Sequence, residues 1–470
     1  MSAFDRVPRL KDTQRFLSRD ECAALIERIR GFTHGGGTTD VDITSWWSGE
    51  LRWARNRVSL ASDRRDLRVA VSRGLPGMTG FLSPVATNQV DDVSLAAVVR
   101  AAERWAHRTK YYRPDIVAPV PDFEYTKPAI WSDTTYGLTT EERGRLARAL
   151  VDPAEAAGML SAGYLEVRGQ GTASTPSEKP LLYAEQTTAQ CSMTVRDPEG
   201  RGSGWAGASS YDWRRIDPEA LGRRALEKCL ASRNPVTIEP GRYTVILEPQ
   251  AVHDLVAWVV SDLNKRQAAE NQPGPLNAGY DTALRLGRSK LGLKVVDERV
   301  TISHDPMDPA LGVIPFDNDG WGPYPVGAVT WIDHGVLTAL SYGRAYAVRE
   351  LTDNLPIAPR MAYRMSGGAT SVEEMIATTK RGLLVTRFWG VGPLSEGLFT
   401  GLTRDGLWLI ESGKVSKAVK NLRFTDSPWF VLNSLEQLGE PVPVFSPEAP
   451  AIVPPLKARD FSFTSLVDAI

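Results

Sequence analysis

The chain has 470 residues, more than one hydrophobic core supports, so two or three domains are expected. Apolar residues at 42% and charged residues at 24% are those of an ordinary soluble globular protein, and a formal net charge of −1 excludes a nucleic-acid or anionic-membrane surface spread over the whole chain. The three cysteines, Cys22, Cys191 and Cys229, lie far apart and form neither a CxxC pair nor a disulfide framework, which suits a reducing, cytoplasmic setting. Charges interrupt the first dozen residues where a signal peptide needs an apolar core, and no stretch approaches the ~18–20 apolar residues of a membrane span.

In chain order, Ser18-Arg-Asp-Glu21 is a capping box, and Leu25, Ile26 and Ile29 give the helix after it one apolar face. Residues 41–72 alternate as strands, Gly74, Gly77 and Gly80 mark turns, and Asp92 is placed to cap a helix over 93–106. A Pro-rich connector follows at 112–121, then a helical stretch at 140–159 interrupted by Pro153. Strands, a Gly-rich turn and an Asp217-capped helix at 182–230 repeat the order seen at 41–107, suggesting two similar sheet-and-helix units.

A β-type run, Tyr243 to Leu247, then meets Pro249 and passes into an amphipathic helix over 249–266, and a second helix is expected at 371–380. Asn318-Asp-Gly320, Asp333-His-Gly335, Arg404-Asp-Gly406 and Ser412-Gly413 sit between alternating runs and read as hairpin turns. The clearest hairpins are 326–332 with 337–341 and 407–411 with 414–419. Proline-rich residues 441–455 are expected to lie extended over the surface. The fold class is therefore α+β: an N-terminal sheet-and-helix domain over 1–235 with a weak internal repeat, and a predominantly antiparallel β domain over 236–470.

Few residues carry chemistry in a recognisable pattern. The histidines are His34, His107, His253, His304 and His334, and no two are close enough in sequence for a local zinc site. His304-Asp305-x-x-Asp308 joins a metal site only if the fold brings it to His253; otherwise Asp-Pro-Met-Asp-Pro is a turn-rich loop. Gly200-Arg-Gly-Ser-Gly204 lacks the Gly-Lys-Ser/Thr ending of a phosphate loop, and no Gly-x-Ser-x-Gly elbow occurs. Trp46, Trp47 and Trp53 can line a peptide groove, or divide between sheet core and a subunit interface.

Four stretches together carry a family resemblance. They are the strand-into-helix run from Tyr243; Ile314-Pro-Phe-Asp-Asn-Asp-Gly320 followed by Ile332-Asp-His-Gly-Val-Leu337; Gly367-Gly-Ala-Thr-Ser-Val-Glu-Glu-Met-Ile376 leading to Arg381-Gly-Leu-Leu-Val-Thr386; and Gly401 to Val419, with Ile410-Glu-Ser-Gly-Lys414 at its centre. In order and spacing they resemble the TldD/PmbA family of peptidases, most strongly over 240–425. The resemblance implies homodimers, or a heterodimer of a zinc-bearing TldD-type subunit and a metal-free TldE (PmbA)-type subunit, acting on unfolded or modified peptides.

The family's zinc helix carries His-Glu-x-x-x-His. An ungapped match of the preceding strand puts that motif on 257–262, where this chain has Ala257, Trp258 and Asp262 in place of the first histidine, the glutamate and the second histidine. The third ligand implied by the resemblance is a cysteine near the C-terminus, and no cysteine follows Cys229. A four-residue slip offers His253-Asp254 as a decayed motif; the alternative is a polar pair in a helix's first turn. The expectation is a TldE-like subunit with no metal of its own. It would pair with a TldD-like subunit that holds the zinc, or with a second copy of itself, and bind unfolded or modified peptide, with no nucleic-acid or membrane partner. The alternative is a self-sufficient homodimeric metal-dependent peptidase or other hydrolase with non-standard ligands, for which His253, Asp254 and His304 are the catalytic candidates.

Overall fold

The structure, a computed structural model, describes residues 16–76, 84–109, 127–175, 180–263, 275–281, 286–318, 323–342, 362–395 and 397–467. The connector at 112–121, Gly77, Gly80 and the Asn318-Asp-Gly320 turn fall wholly or partly outside these residues. The fold is α+β, with strands predominating.

The first half is built on one six-stranded antiparallel sheet. Its elements run α1 (Arg19–Arg30), β1 (Thr38–Ala54), β2 (Arg57–Gly74), β3 (Val85–Thr87), α2 (Asp92–Thr109), α3 (Asp133–Tyr136), α4 (Thr140–Ala156), β4 (Leu160–Thr175), β5 (Leu182–Arg196), β6 (Ser203–Ser210) and α5 (Pro218–Ala231). The strand order β3-β2-β1-β4-β5-β6 places the helix–three strands–helix series of 19–109 beside that of 140–231, with β1 and β4 antiparallel at the join. One face of the sheet is apolar because strand residues alternate: Val41, Ile43, Trp47, Leu51 and Trp53 of β1 are buried against the helices. The other face carries Trp46, Ser48, Glu50, Glu166, Arg168 and Gln170.

The second half opens with β7 (Gly241–Leu247) and α6 (Pro249–Leu263). Strands β7, Leu456–Leu466, Leu422–Asp426, Leu398–Glu411 and Arg381–Ser395 pair in a closed circuit, since the last pairs with both Leu398–Glu411 and β7. Phe388, Phe424, Phe461 and Phe463 pack together in its core. A second, six-stranded sheet includes Ile302–His304, Val329–Asp333, Tyr363–Met365 and Ala451–Val453. Helix α6 shares one core with both sheets, burying Ala251, Val252, Leu255, Val256, Val259, Val260 and Leu263. At about 1.5–3 kcal/mol for each fully buried Val or Leu, this face fixes the helix's rotation. No helix among the described residues is long and apolar enough to cross a membrane.

Several local expectations are corrected. Helix α4 runs through Pro153 to Ala156, because the proline lies near the helix end, where little of the ladder remains to be broken. Asp91, not Asp92, caps α2, accepting from the Ser94 amide at 3.0 Å. Arg404-Asp-Gly406 is not a turn: Leu398–Glu411 is one strand, and positive φ at Asp405 (56°) and Gly406 (134°) marks a bulge opposite Val385 and Arg387. Residues 441–455 do not stay on the surface, since Ala451, Ile452 and Val453 are buried and join the second sheet beside Tyr363. Strand β4 has no counterpart in the sequence reading. Its glycines weaken the strand signal, yet packing requires one of them: a Cβ at Gly163 would stand 2.4 Å from the Ser192 carbonyl oxygen.

The sheet and α4 are joined through Arg143, which is 1% exposed. Its guanidinium donates to Asp63 at 2.9 Å and to the Leu138 carbonyl at 2.9 Å, and lies over the Trp47 ring. Gly49 leaves room for it; a Cβ there would sit 2.4 Å from Nη1. Arg143→Ala is expected to cost about 2–4 kcal/mol of stability. Asp63→Asn should cost only about 1 kcal/mol, because the Asp63 side chain is 47% exposed and its charge is screened. Urea denaturation checks this, and equal costs for the two variants would contradict it.

Candidate functional site

With its apolar face buried, α6 turns a second stripe outward. Gln250, His253, Asp254 and Ala257 recur at three- and four-residue spacing and line a cleft of about 390 Å³. The other walls are Tyr363, residues 387–391, residues 445–449 and Trp205 of β6, so the cleft lies where the first sheet meets the second half.

His253 and Tyr363 form its floor. Their rings stack at 5.9 Å, and His253 Nδ1 shares a 2.9 Å hydrogen bond with the Tyr363 hydroxyl. Burial pushes His253 down to about 4, so the ring is neutral at physiological pH. Burial, reinforced by the Asp254 charge, holds the Tyr363 phenol well above its ordinary range. Asp254 accepts from the Phe388 amide at 2.8 Å and from Gln250 Nε2 at 3.1 Å. Burial raises its carboxyl to about 6, although Gln250, the Phe388 amide and Arg387 each act to lower it. Arg387 is tied to the fully buried Asp405 and lies 4.6 Å over the Trp205 ring. Phe445 meets Trp205 edge-on at 5.8 Å, and Trp205 Nε1 donates to Ser192 Oγ at 2.9 Å. These contacts tie the first sheet to the cleft wall.

The sequence candidates separate in space. His253, Asp254 and Ala257 line the cleft; Trp258 packs on Phe399 at 5.1 Å, one position further round the helix, and Asp262 lies at the helix end. His304 is 2% exposed, stacked on Trp331 in the second sheet, and does not line the cleft. Asp308 is paired with Arg364 at 2.5 Å, and Asp305 accepts from the Met307 amide. Tyr363, Arg387, Trp205 and Phe445 were not singled out from the sequence. Only Arg387 had a nearby signal, the Gly-Leu-Leu-Val-Thr run just before it.

A hydrolytic zinc needs three protein ligands and an open position. Ala257 offers no donor atom, an indole N–H can only donate, and both Asp254 oxygens already accept hydrogen bonds. Among the described residues, no group of three or more His, Cys, Asp and Glu stands close enough to hold a metal. The donor set does not fit a catalytic zinc. What it does offer is a neutral imidazole, a carboxyl group raised by burial to about 6 and a fixed guanidinium beside aromatic rings.

Asp254 and His253 have opposite effects on stability against pH. An unfolded aspartate titrates near ~3.9 and the folded one at about 6, so the folded state holds this proton more tightly. The Asp254 contribution is therefore full below about 4 and lost as pH rises to about 6. The folded value of His253 lies below its unfolded one, so its contribution is present above about 6.5 and lost as pH falls towards about 4. Asp254→Asn should gain stability more steeply than the parent between pH 4 and 6, and His253→Gln should lose that gain. Urea midpoints across this range test it; a slope unchanged in Asp254→Asn would contradict the buried carboxyl.

Comparison with known proteins gives one consistent picture. Residues 240–465 match the family model described as PmbA/TldA metallopeptidase C-terminal domain. A Methanothermobacter thermautotrophicus protein described as a metalloprotease is 23% identical over 236 residues, 48% of this chain and 49% of that relative. The chain thus spans about half the length of that relative. A Bacteroides thetaiotaomicron structure described as a proposed modulator of DNA gyrase superposes with a TM-score of 0.76 at 19% identity, covering 96% of this chain and 100% of the other. One from Thermotoga maritima, described in similar words, gives 0.75 at 16%, covering 94% and 100%. TldE from Thermococcus kodakarensis gives 0.72 at 17%, again covering 94% and 100%. At these identities the likeness to the solved structures is one of fold. Residues 240–465 are therefore similar to the PmbA/TldA metallopeptidase C-terminal domain, on a chain that shares the fold of these solved structures over nearly its whole length.

Proposed function

We propose that this chain is a TldE-type subunit of a TldD/TldE-type peptidase in the cytoplasm. It holds no zinc of its own and helps to bind unfolded or modified peptides for a zinc-bearing TldD-like partner. In this reading residues 1–235 form the cleft wall, and residues 236–470 carry the helix on which the zinc motif has been replaced. The observation that carries the proposal is the outward stripe of α6. Ala257 faces the cleft without a donor atom, and one turn earlier His253 and Asp254 are committed to Tyr363, Phe388 and Gln250.

The chemistry agrees with a binding role. Amide hydrolysis needs an activated water and donors aimed at the tetrahedral oxygen. The cleft instead offers aromatic walls and fixed polar groups, which suit the holding of an extended chain. A protease assay on a disordered peptide, with this chain alone, with a TldD-like partner alone and with both, tests the proposal. The expected result is no cleavage by this chain alone and at least a tenfold gain when it joins the partner. Chelator-sensitive cleavage by this chain alone would favour the self-sufficient homodimer.

A further inference from the structure

Beyond the cleft lies a larger groove of about 680 Å³, between the polar face of the first sheet and residues 309–314 and 443–450. Residues 446–449 line both the cleft and the groove, so the two adjoin at this segment. The sheet wall is a ladder of polar residues set by strand register. Arg168 stands beside Ser48 and Thr188, Gln170 beside Trp46 and Gln186, and Glu166 beside Glu50 and Gln190.

Within that ladder Arg168 forms no close ion pair among the described residues, although Glu166 and Asp66 act on it at longer range. Its guanidinium carbon lies 4.7 Å from the centroid of the Trp46 ring. No carboxylate among the described residues lies within ion-pair distance of it, and its buried Nε has no hydrogen-bond acceptor. The acids nearest in charge, Glu166 and Asp66, are engaged elsewhere: Glu166 accepts from Gln190 Nε2 at 2.9 Å, and Asp66 accepts from the Leu67 amide at 2.8 Å and faces Arg64. Gln190 Oε1 is buried without a donor as well. The groove's other arginine, Arg215, is bonded to the Tyr211 hydroxyl at 3.0 Å and stacks on that ring. A half-buried guanidinium that keeps its planar fork free is suited to a carboxylate. Glu166 and Glu448 on the same walls disfavour a multiply charged group such as phosphate.

We propose that Arg168, seated on Trp46, is a carboxylate-binding subsite that receives an acidic side chain or the C-terminal carboxylate of a peptide running from the cleft into this groove. This rests on the peptide-binding role proposed above and names a preference within it. A peptide held only through its main chain is read without regard to charge, whereas one half-buried guanidinium ranks peptides by the acid they carry.

Fluorescence polarisation with labelled disordered peptides of one length separates the possibilities. The probes are a free-acid peptide, its C-terminal amide, and amidated peptides carrying one internal Glu or Gln. The full chain, in its own oligomeric state, is expected to bind the free acid or the Glu peptide roughly tenfold more tightly than the matching neutral peptide. Which of the two gains identifies the carboxylate's source. Arg168→Gln should remove the difference, and Arg168→Lys should restore only part of it. The comparison among peptides on the parent chain needs no variant and so does not depend on how the variants fold. Equal binding of acidic and neutral peptides, or a preference that survives Arg168→Gln, overturns the subsite and leaves the peptide-binding role standing. No binding of any peptide, alone or with a TldD-like partner, overturns both.

Discussion

The burial of one face of α6 is the constraint on which the site depends. Its seven buried apolar residues lie in a core shared with both C-terminal sheets, so the helix can neither roll nor slide without exposing them. Everything said of the cleft follows from that rotation. Gln250, His253, Asp254 and Ala257 face it because they lie opposite the buried stripe. A metal-binding pattern on this helix would have to occupy those outward positions. What stands there is a methyl group and a polar pair bonded to Tyr363, Gln250 and the Phe388 amide.

A second constraint joins the halves of the molecule. Trp205 projects from the first sheet beneath the guanidinium of Arg387, and Arg387 is held in turn by Asp405, fully buried in a strand bulge. An unpaired charge at that depth is costly, so the ion pair and the ring stack hold the cleft wall in one arrangement. The same junction brings the polar face of the first sheet over residues 309–314 and 443–450. In many two-layer folds that face meets solvent; here it becomes the wall of a groove that shares residues 446–449 with the cleft.

Much of this architecture was readable from local chemistry. The capping box at Ser18 and Glu21, the Asp217 cap before Pro218, the strand-to-helix passage at Pro249 and the hairpin at Ser412-Gly413 each rest on a few neighbouring residues, and the elements formed as expected. What could not be read depends on distant neighbours. Gly163 weakens β4 as a strand signal, and only the Ser192 backbone packed against it explains why a glycine is there. Asp405-Gly406 has the residues of a turn, and only its pairing with the neighbouring strand makes it a bulge. The site divides in the same way. His253 and Asp254 stand out on a helix, but Tyr363 lies 110 residues from His253 and Phe388 134 residues from Asp254 along the chain, and no periodicity links them. His304 shows the converse: a histidine beside aspartates in sequence is, in the fold, an aromatic ring packed on Trp331.

The proposed function turns on whether this helix, with His253 bonded to Tyr363 and Asp254 bonded to Gln250 and the Phe388 amide, holds a metal. Elemental analysis of the purified chain, after exposure to zinc and extensive dialysis, tests it most directly. The account predicts no stoichiometric zinc, and the same result for His253→Ala. One tightly held zinc per chain, lost in His253→Ala, would contradict it.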